Sequence, residues 1–256
     1  MAGLILAFFG TALLYAAVGF GGGSTYNALL VLAGTDYRAI PSIALVCNML
    51  VVSVGSWRFA AAGHVQWRRI WPLFTLSVPM AWLGGRIVIA EITFVGLLAL
   101  ALFTAGATML WQREPAQAAE PTPGATWAEP LIGGALGFLA GLVGIGGGIF
   151  LAPILHLLRW GGAKAIAGTC AVFILVNSVA GLAGQLAKAD AFDRIDALGA
   201  HWLLFPAVLA GGAIGSSLGS GRLRASHVRI ATALLVLYVA ARLGLRFHNL
   251  QSGSAS

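Results

Sequence analysis

Val18-Gly19-Phe20-Gly21-Gly22-Gly23, near the start of the chain, returns as Val143-Gly144-Ile145-Gly146-Gly147-Gly148 past its middle. Each copy interrupts an apolar run. Before the first lies Leu4–Val18 and after it Ser24–Ala33; before the second lies Leu131–Val143 and after it Ile149–Leu158. Each piece is too short to cross a bilayer alone, which takes about 20 apolar residues. Two shapes fit such a pair: one long broken helix, or a re-entrant hairpin with its tip inside the membrane.

The repeat extends outward from the glycines. Arg38-Ala39-Ile40 matches Lys164-Ala165-Ile166, and Asn48 and Gly55 match Asn177 and Gly184 after a short gap. An ordered set of matches is the signature of internal duplication. The remaining apolar blocks are Ile40–Ala61, Ile70–Ala90 and Ile92–Trp111 in the first half, and Ala165–Leu186, Leu198–Leu218 and Val228–Leu245 in the second. The predicted fold is all-α and polytopic, with two pseudo-symmetric repeats at 1–111 and 130–248. Between them lies a Pro- and Glu-bearing linker at 112–129, and a polar frayed tail follows at 249–256.

Composition requires lipid as the main solvent. Of 256 residues 59% are hydrophobic and 9% charged, whereas soluble domains carry about 25% charged residues. The net charge of +7 sits in short connectors. It is read as a topology signal and not as a nucleic-acid surface. The connector after the third block is basic in the first half (Arg58, Arg68, Arg69) and net acidic in the second (Lys188, Asp190, Asp193, Arg194, Asp196). The next connector reverses this, with Arg86 and Glu91 cancelling in the first half and Arg222, Arg224 and Arg229 basic in the second. Basic loops favour the cytoplasm, so the halves are predicted to be inverted. A re-entrant hairpin plus three spans gives each half the odd number of crossings this needs, and so do five tilted short and long spans. Both termini then lie outside the cytoplasm, and Arg242 and Arg246 fall on the unfavoured side. The expected location is a multi-pass inner-membrane protein.

The chemistry is expected at the breaks. Non-helical backbone at membrane depth is tolerated only where protein or a water-filled cavity covers it. A half-helix starting at Gly22 or Gly147 aims free N–H groups and a positive dipole end inward, which suits an anion. Candidate binding residues are Gly21, Gly22, Gly23, Gly146, Gly147 and Gly148, with Asn48, Asn177 and Thr169. A second rank holds Asn27, Ser42, Cys47, Cys170 and Gln185. The amides are read equally as ligand donors, as caps for the broken backbone or as helix bridges. The stripes Gly133/Gly137/Gly141 and Gly211/Gly215/Gly219 are assigned to helix packing. All eight acidic residues fall in or beside connectors, which argues against a cation site or a carboxylate proton relay. His156 and His201 are read as structural or interfacial. No metal or cofactor is expected. The partners are a small anion and membrane lipid, not nucleic acid, with a homodimer left open.

The doubled Val-Gly-x-Gly-Gly-Gly, the Ala-Ile run leading to Val176-Asn177-Ser178 and the two-half layout resemble the sulfite exporter TauE/SafE family, also called the toluenesulfonate uptake permease family. The resemblance covers about residues 4–247 and is strongest over Gly141–Gly184. It implies a transporter, not an enzyme, moving sulfite or organosulfonates, usually outward. It points to the glycine breaks and the Asn48 and Asn177 helices. The first half departs from the common pattern at Pro41, Cys47 and Ser24-Thr25-Tyr26-Asn27. Other small anions remain an alternative substrate class, and a membrane thiol enzyme using Cys47 and Cys170 is a more distant one.

Overall fold

The computed structural model describes residues 1–17, 19–111, 128–158, 160–219 and 225–253. Within them the chain forms α1 (Ala2–Ala17), α2 (Gly23–Leu32), α3 (Ile40–Ala61), α4 (Trp67–Arg86), α5 (Glu91–Trp111), α6 (Ala128–Val143), α7 (Gly148–Leu157), α8 (Ala163–Leu186), α9 (Ala191–Ala200), α10 (Leu204–Gly219) and α11 (Ala225–Gly253). Pro41 sits in the first turn of α3, where its missing N–H costs nothing. Most of the predicted linker, 112–127, lies outside the described residues, as do Arg222 and Arg224. The last helix runs through Gly253, into the stretch expected to fray.

One element differs from expectation. The charged stretch read as a connector before Leu198 forms α9, bent 65° from α10. Its pattern is inside out for a soluble helix: Phe192 and Ile195 are exposed, while Arg194 is buried. Lipid rewards that choice, because the apolar side chains face hydrocarbon and the arginine finds partners within the protein.

The helices α3, α5, α8 and α11 each contain a stretch long and apolar enough to cross a membrane, and the bent pair α9–α10 is long and apolar enough only when its two helices are taken together. Leu100, Phe103, Leu234, Tyr238 and Leu245 stand exposed along α5 and α11, as expected of a lipid-facing surface. The protein is thus a multi-pass helical membrane protein.

The glycine stripes are packing surfaces. A methyl group added at Gly133, Gly137 or Gly141 would strike the carbonyls of Leu73, Ser77 and Ala81 in turn, so α6 runs parallel to α4 at backbone contact. Gly211 and Gly215 meet the carbonyls of Phe9 and Leu13, so α10 runs parallel to α1 in the same manner. Each close pair joins one half of the chain to the other. The long helices pair oppositely. Gly168 faces Phe59 and Gly181 faces Leu45, so α3 and α8 are antiparallel; Gly96 faces Phe247 and Gly106 faces Leu237, so α5 and α11 are too.

These directions fix the two broken elements as hairpins. At one end of the bundle stand Arg58, Arg68, Arg69 and Lys164, around the α3–α4 connector and the start of α8. At the other stand Arg38, Arg86, Glu91, Lys188 and Arg194. The helix α1 starts at this second, mixed-charge end, alongside the start of α10. The helix α2 returns to that end, where Arg246 donates to the Val31 carbonyl and pairs with Glu91 at 3.1 Å. The helix α6 starts at the basic end beside the start of α4. The helix α7 returns to the basic end, where the buried Trp160 ring lies 4.8 Å under the Arg69 guanidinium. Thus α1–α2 and α6–α7 enter the bundle from opposite ends.

Candidate functional site

Each hairpin turns through glycine in a conformation that other residues resist. Gly22 precedes α2 at φ +84° and Gly147 precedes α7 at φ +76°, both left-handed. A residue with a Cβ pays about 1–2 kcal/mol there. The Gly22 carbonyl accepts from the Thr25 and Tyr26 N–H groups, and the Gly147 carbonyl from those of Phe150 and Leu151. Neither helix has a side-chain cap. Among the described residues, the N–H groups of Gly21 to Ser24 and of Ile145 to Ile149 have no hydrogen-bond partner. All these residues are buried. Uncapped amides at a helix start normally meet water or a side chain. Here both sets are buried and lack a side-chain cap.

The two turns lie side by side, with Asn48 of α3 between them. Asn48 Nδ2 donates to the Ile145 carbonyl at 3.1 Å. A methyl group at Gly21 would sit 2.5 Å from Asn48 Oδ1, one at Gly23 would sit 2.8 Å from the Ile145 carbonyl oxygen, and one at Gly146 would sit 2.9 Å from Asn48 Nδ2. Each turn also packs on the opposite half at a matching place. Gly19 meets Ala167, the residue after Ile166, and Gly144 meets Pro41, the residue after Ile40. The positive ends of α2 and α7 therefore converge on one buried locus.

The predicted amides divide by partner. Gln185 donates to the Gly141 carbonyl at 2.9 Å, Asn27 to Val143 at 2.8 Å and Asn48 to Ile145 at 3.1 Å. Together they close the last carbonyls of α6 and its turn, which is the backbone-capping role. Asn177 bonds the Phe173 carbonyl of its own helix at 2.8 Å. The structural counterpart of Asn48 is Ile174 and not Asn177: Gly23 faces Asn48, and its equivalent Gly148 faces Ile174. Ser42 and Thr169 are buried with unpartnered hydroxyls. Cys47 and Cys170 are free and buried.

Two residues at the breaks escaped the sequence reading. A methyl group at Gly22 would lie 3.2 Å from the Tyr26 hydroxyl, and one at Gly146 would lie 3.3 Å from Ser178 Oγ. Both oxygens are buried without partners. Tyr26 stands four residues beyond the αL glycine, one helical turn into α2, and that spacing was the available signal.

A polar cluster ties the second hairpin to the mixed-charge end. Arg194 reaches both Asp190 oxygens at 2.9 Å, Gln185 Oε1 at 3.1 Å and the Arg38 carbonyl. Lys188 Nζ donates to the same Gln185 oxygen at 2.8 Å. Burial, and then the Arg194 charge, lower the Lys188 pKa to about 8. The Arg194 hydrogen bonds hold the Asp190 carboxyl below the usual range.

Apolar spans, two buried glycine hairpins from opposite ends and uncapped half-helix starts facing each other define a membrane transporter of the broken-helix kind. The sulfite exporter TauE/SafE family matches residues 4–243. The chain belongs to that family, and is accordingly a transporter and not an enzyme. It is also 36% identical over 238 residues to the probable membrane transporter protein y4hK of Sinorhizobium fredii (strain NBRC 101917 / NGR234), covering 92% of this chain and 94% of that one. No solved structure matches it.

Proposed function

We propose that the protein exports a small sulfur-containing oxyanion, such as sulfite or an organosulfonate, across the inner membrane, binding it between the two glycine turns. The observation that carries this reading is the pair of adjacent, buried sets of amides at Gly21–Ser24 and Ile145–Ile149 that have no partner among the described residues. Such donors bind anions without a charged side chain. The substrate class comes from the family; the site chemistry is compatible with it.

In this reading the basic end faces the cytoplasm, the repeats 1–111 and 130–248 are inverted, and the chain starts outside. The pairing of Arg246 with Glu91 removes much of the cost of placing that arginine on the unfavoured side. The burial of both turns means that alternating access needs movement of the packed helices. Export needs no coupling ion, since an inside-negative potential favours exit of a monoanion by about 2.3 kcal/mol per 100 mV.

The test is flux in proteoliposomes with labelled sulfite, sulfoacetate, taurine and sulfate, with and without imposed gradients. Voltage-driven sulfite or sulfonate flux is expected. Flux that demands a sodium or proton gradient defeats the uncoupled mechanism, and absence of flux for every sulfur oxyanion defeats the substrate assignment.

A further inference from the structure

The donors at the turns are accompanied by an acceptor. Because Asn48 Nδ2 is committed to the Ile145 carbonyl, its amide orientation is fixed and Oδ1 faces the first turn. That oxygen is fully buried and unpartnered, 2.5 Å from where a Gly21 methyl would stand. A carbonyl oxygen accepts only, so a guest offering nothing but lone pairs leaves it unsatisfied. The charge supply is limited as well. Each half-helix start presents about half an elementary charge, so α2 and α7 together offer about one. The nearest charged groups along the hydrogen-bonded chain, Lys188 and Arg194, stop at Gln185.

Resting on the transport reading above, we propose that the guest is a singly charged oxyanion carrying its own O–H or N–H donor: the hydrogensulfite form and not the sulfite dianion. The turn amides hold its charge, joined by the Tyr26 hydroxyl at the first turn and Ser178 Oγ at the second. Asn48 Oδ1 accepts the guest's proton-bearing group. A dianion meets this site with one charge unmatched and repels Asn48 Oδ1.

The titratable side chains on the surrounding elements are Tyr15 and Tyr26 of α1 and α2, Cys47 of α3, Cys170 of α8 and His156 toward the far end of α7, with Arg58 of α3, Glu129 of α6 and Lys164 of α8 at the basic end. A protein group and a substrate proton are separated by changing the substrate. The KM for sulfite in proteoliposomes is measured across the pH range of its second ionisation, then again for selenite, whose second ionisation falls at a different pH. The proposal expects KM in total anion to rise about tenfold per pH unit above each ionisation, with the midpoint following the substrate. A midpoint that is the same for both anions assigns the titration to the protein and overturns the proposal. A KM that stays flat or falls with pH overturns it in favour of the dianion, while leaving the transport reading intact. Absence of sulfite flux at every pH overturns the proposal, and absence of sulfoacetate and taurine flux as well overturns the transport reading with it. Tyr26→Phe keeps the ring stacked on Phe8, whose centroid is 4.8 Å away, and is expected to raise KM about tenfold with the midpoint unmoved; an unchanged KM removes Tyr26 from the site.

Discussion

The first hairpin braces itself, while the second is braced by its neighbours. Within α1–α2, Tyr15 and Thr25 share a buried hydrogen bond of 2.7 Å and Phe8 stacks on Tyr26. The carbonyls of α6 and its turn are instead held by Asn27 and Asn48 from the first half and by Gln185 from α8. The two turns share left-handed glycines, but the side chains around them differ. Asn48 stands beside one turn where Ile174 stands beside the other. A near-symmetric cradle thus holds an asymmetric set of donors, with the amide on one side.

The comparison breaks most sharply at the glycines. Gly22→Val and Gly147→Val each force a left-handed β-branched residue, at about 1–2 kcal/mol or more, and crowd the amides. Both are expected to abolish flux while leaving membrane insertion intact. Flux surviving in one variant alone would show that the guest uses only the other turn. Next come the amides. Asn48→Ala strands the Ile145 carbonyl, costing about 1–3 kcal/mol, and is expected to cut flux at least about tenfold. Asn177→Ala loses only a bond back to its own helix and should change stability by less than about 1 kcal/mol. Thermal melts in detergent with parallel flux assays separate the two. Smaller still, Tyr15→Phe should weaken only the first hairpin, by about 1 kcal/mol, seen as faster amide exchange in α2 with α7 unchanged.

The smallest effect is one of pH. The Lys188 pKa is about 8, below the ordinary lysine value. Above pH 8 the unfolded chain therefore binds more protons at this position than the folded one. Its contribution to stability rises with pH through that window and levels off near the ordinary value, about 10.4. Lys188→Met should flatten the rise in melting temperature. A rise of the same size in the variant would place its source elsewhere.

Much of the fold was legible because glycine clusters and long apolar runs are local signals. The breaks, the spans from Ile40 and Ile92 and the packing stripes all follow from spacing along one segment. Asn48 was visible as a costly buried amide, but its partner lies 97 residues away, which no local pattern reports. Matching Asn48 to Asn177 requires a gap that the helices do not have. The charges of α9 masked a helix, because Arg194 is neutralised by Asp190, four residues before it and on the same face. Tyr26 gave no distinct signal, because an aromatic in an apolar run is usually core.

The parallel glycine seams join α1 to α10 and α6 to α4, so the polypeptide is braided and not merely folded in two. Severing it in the middle would leave each fragment with a lone arm whose groove belongs to the other fragment. Co-expression of both pieces should therefore restore what neither achieves separately. Each glycine seam thus ties an arm from one half of the chain to a helix of the other.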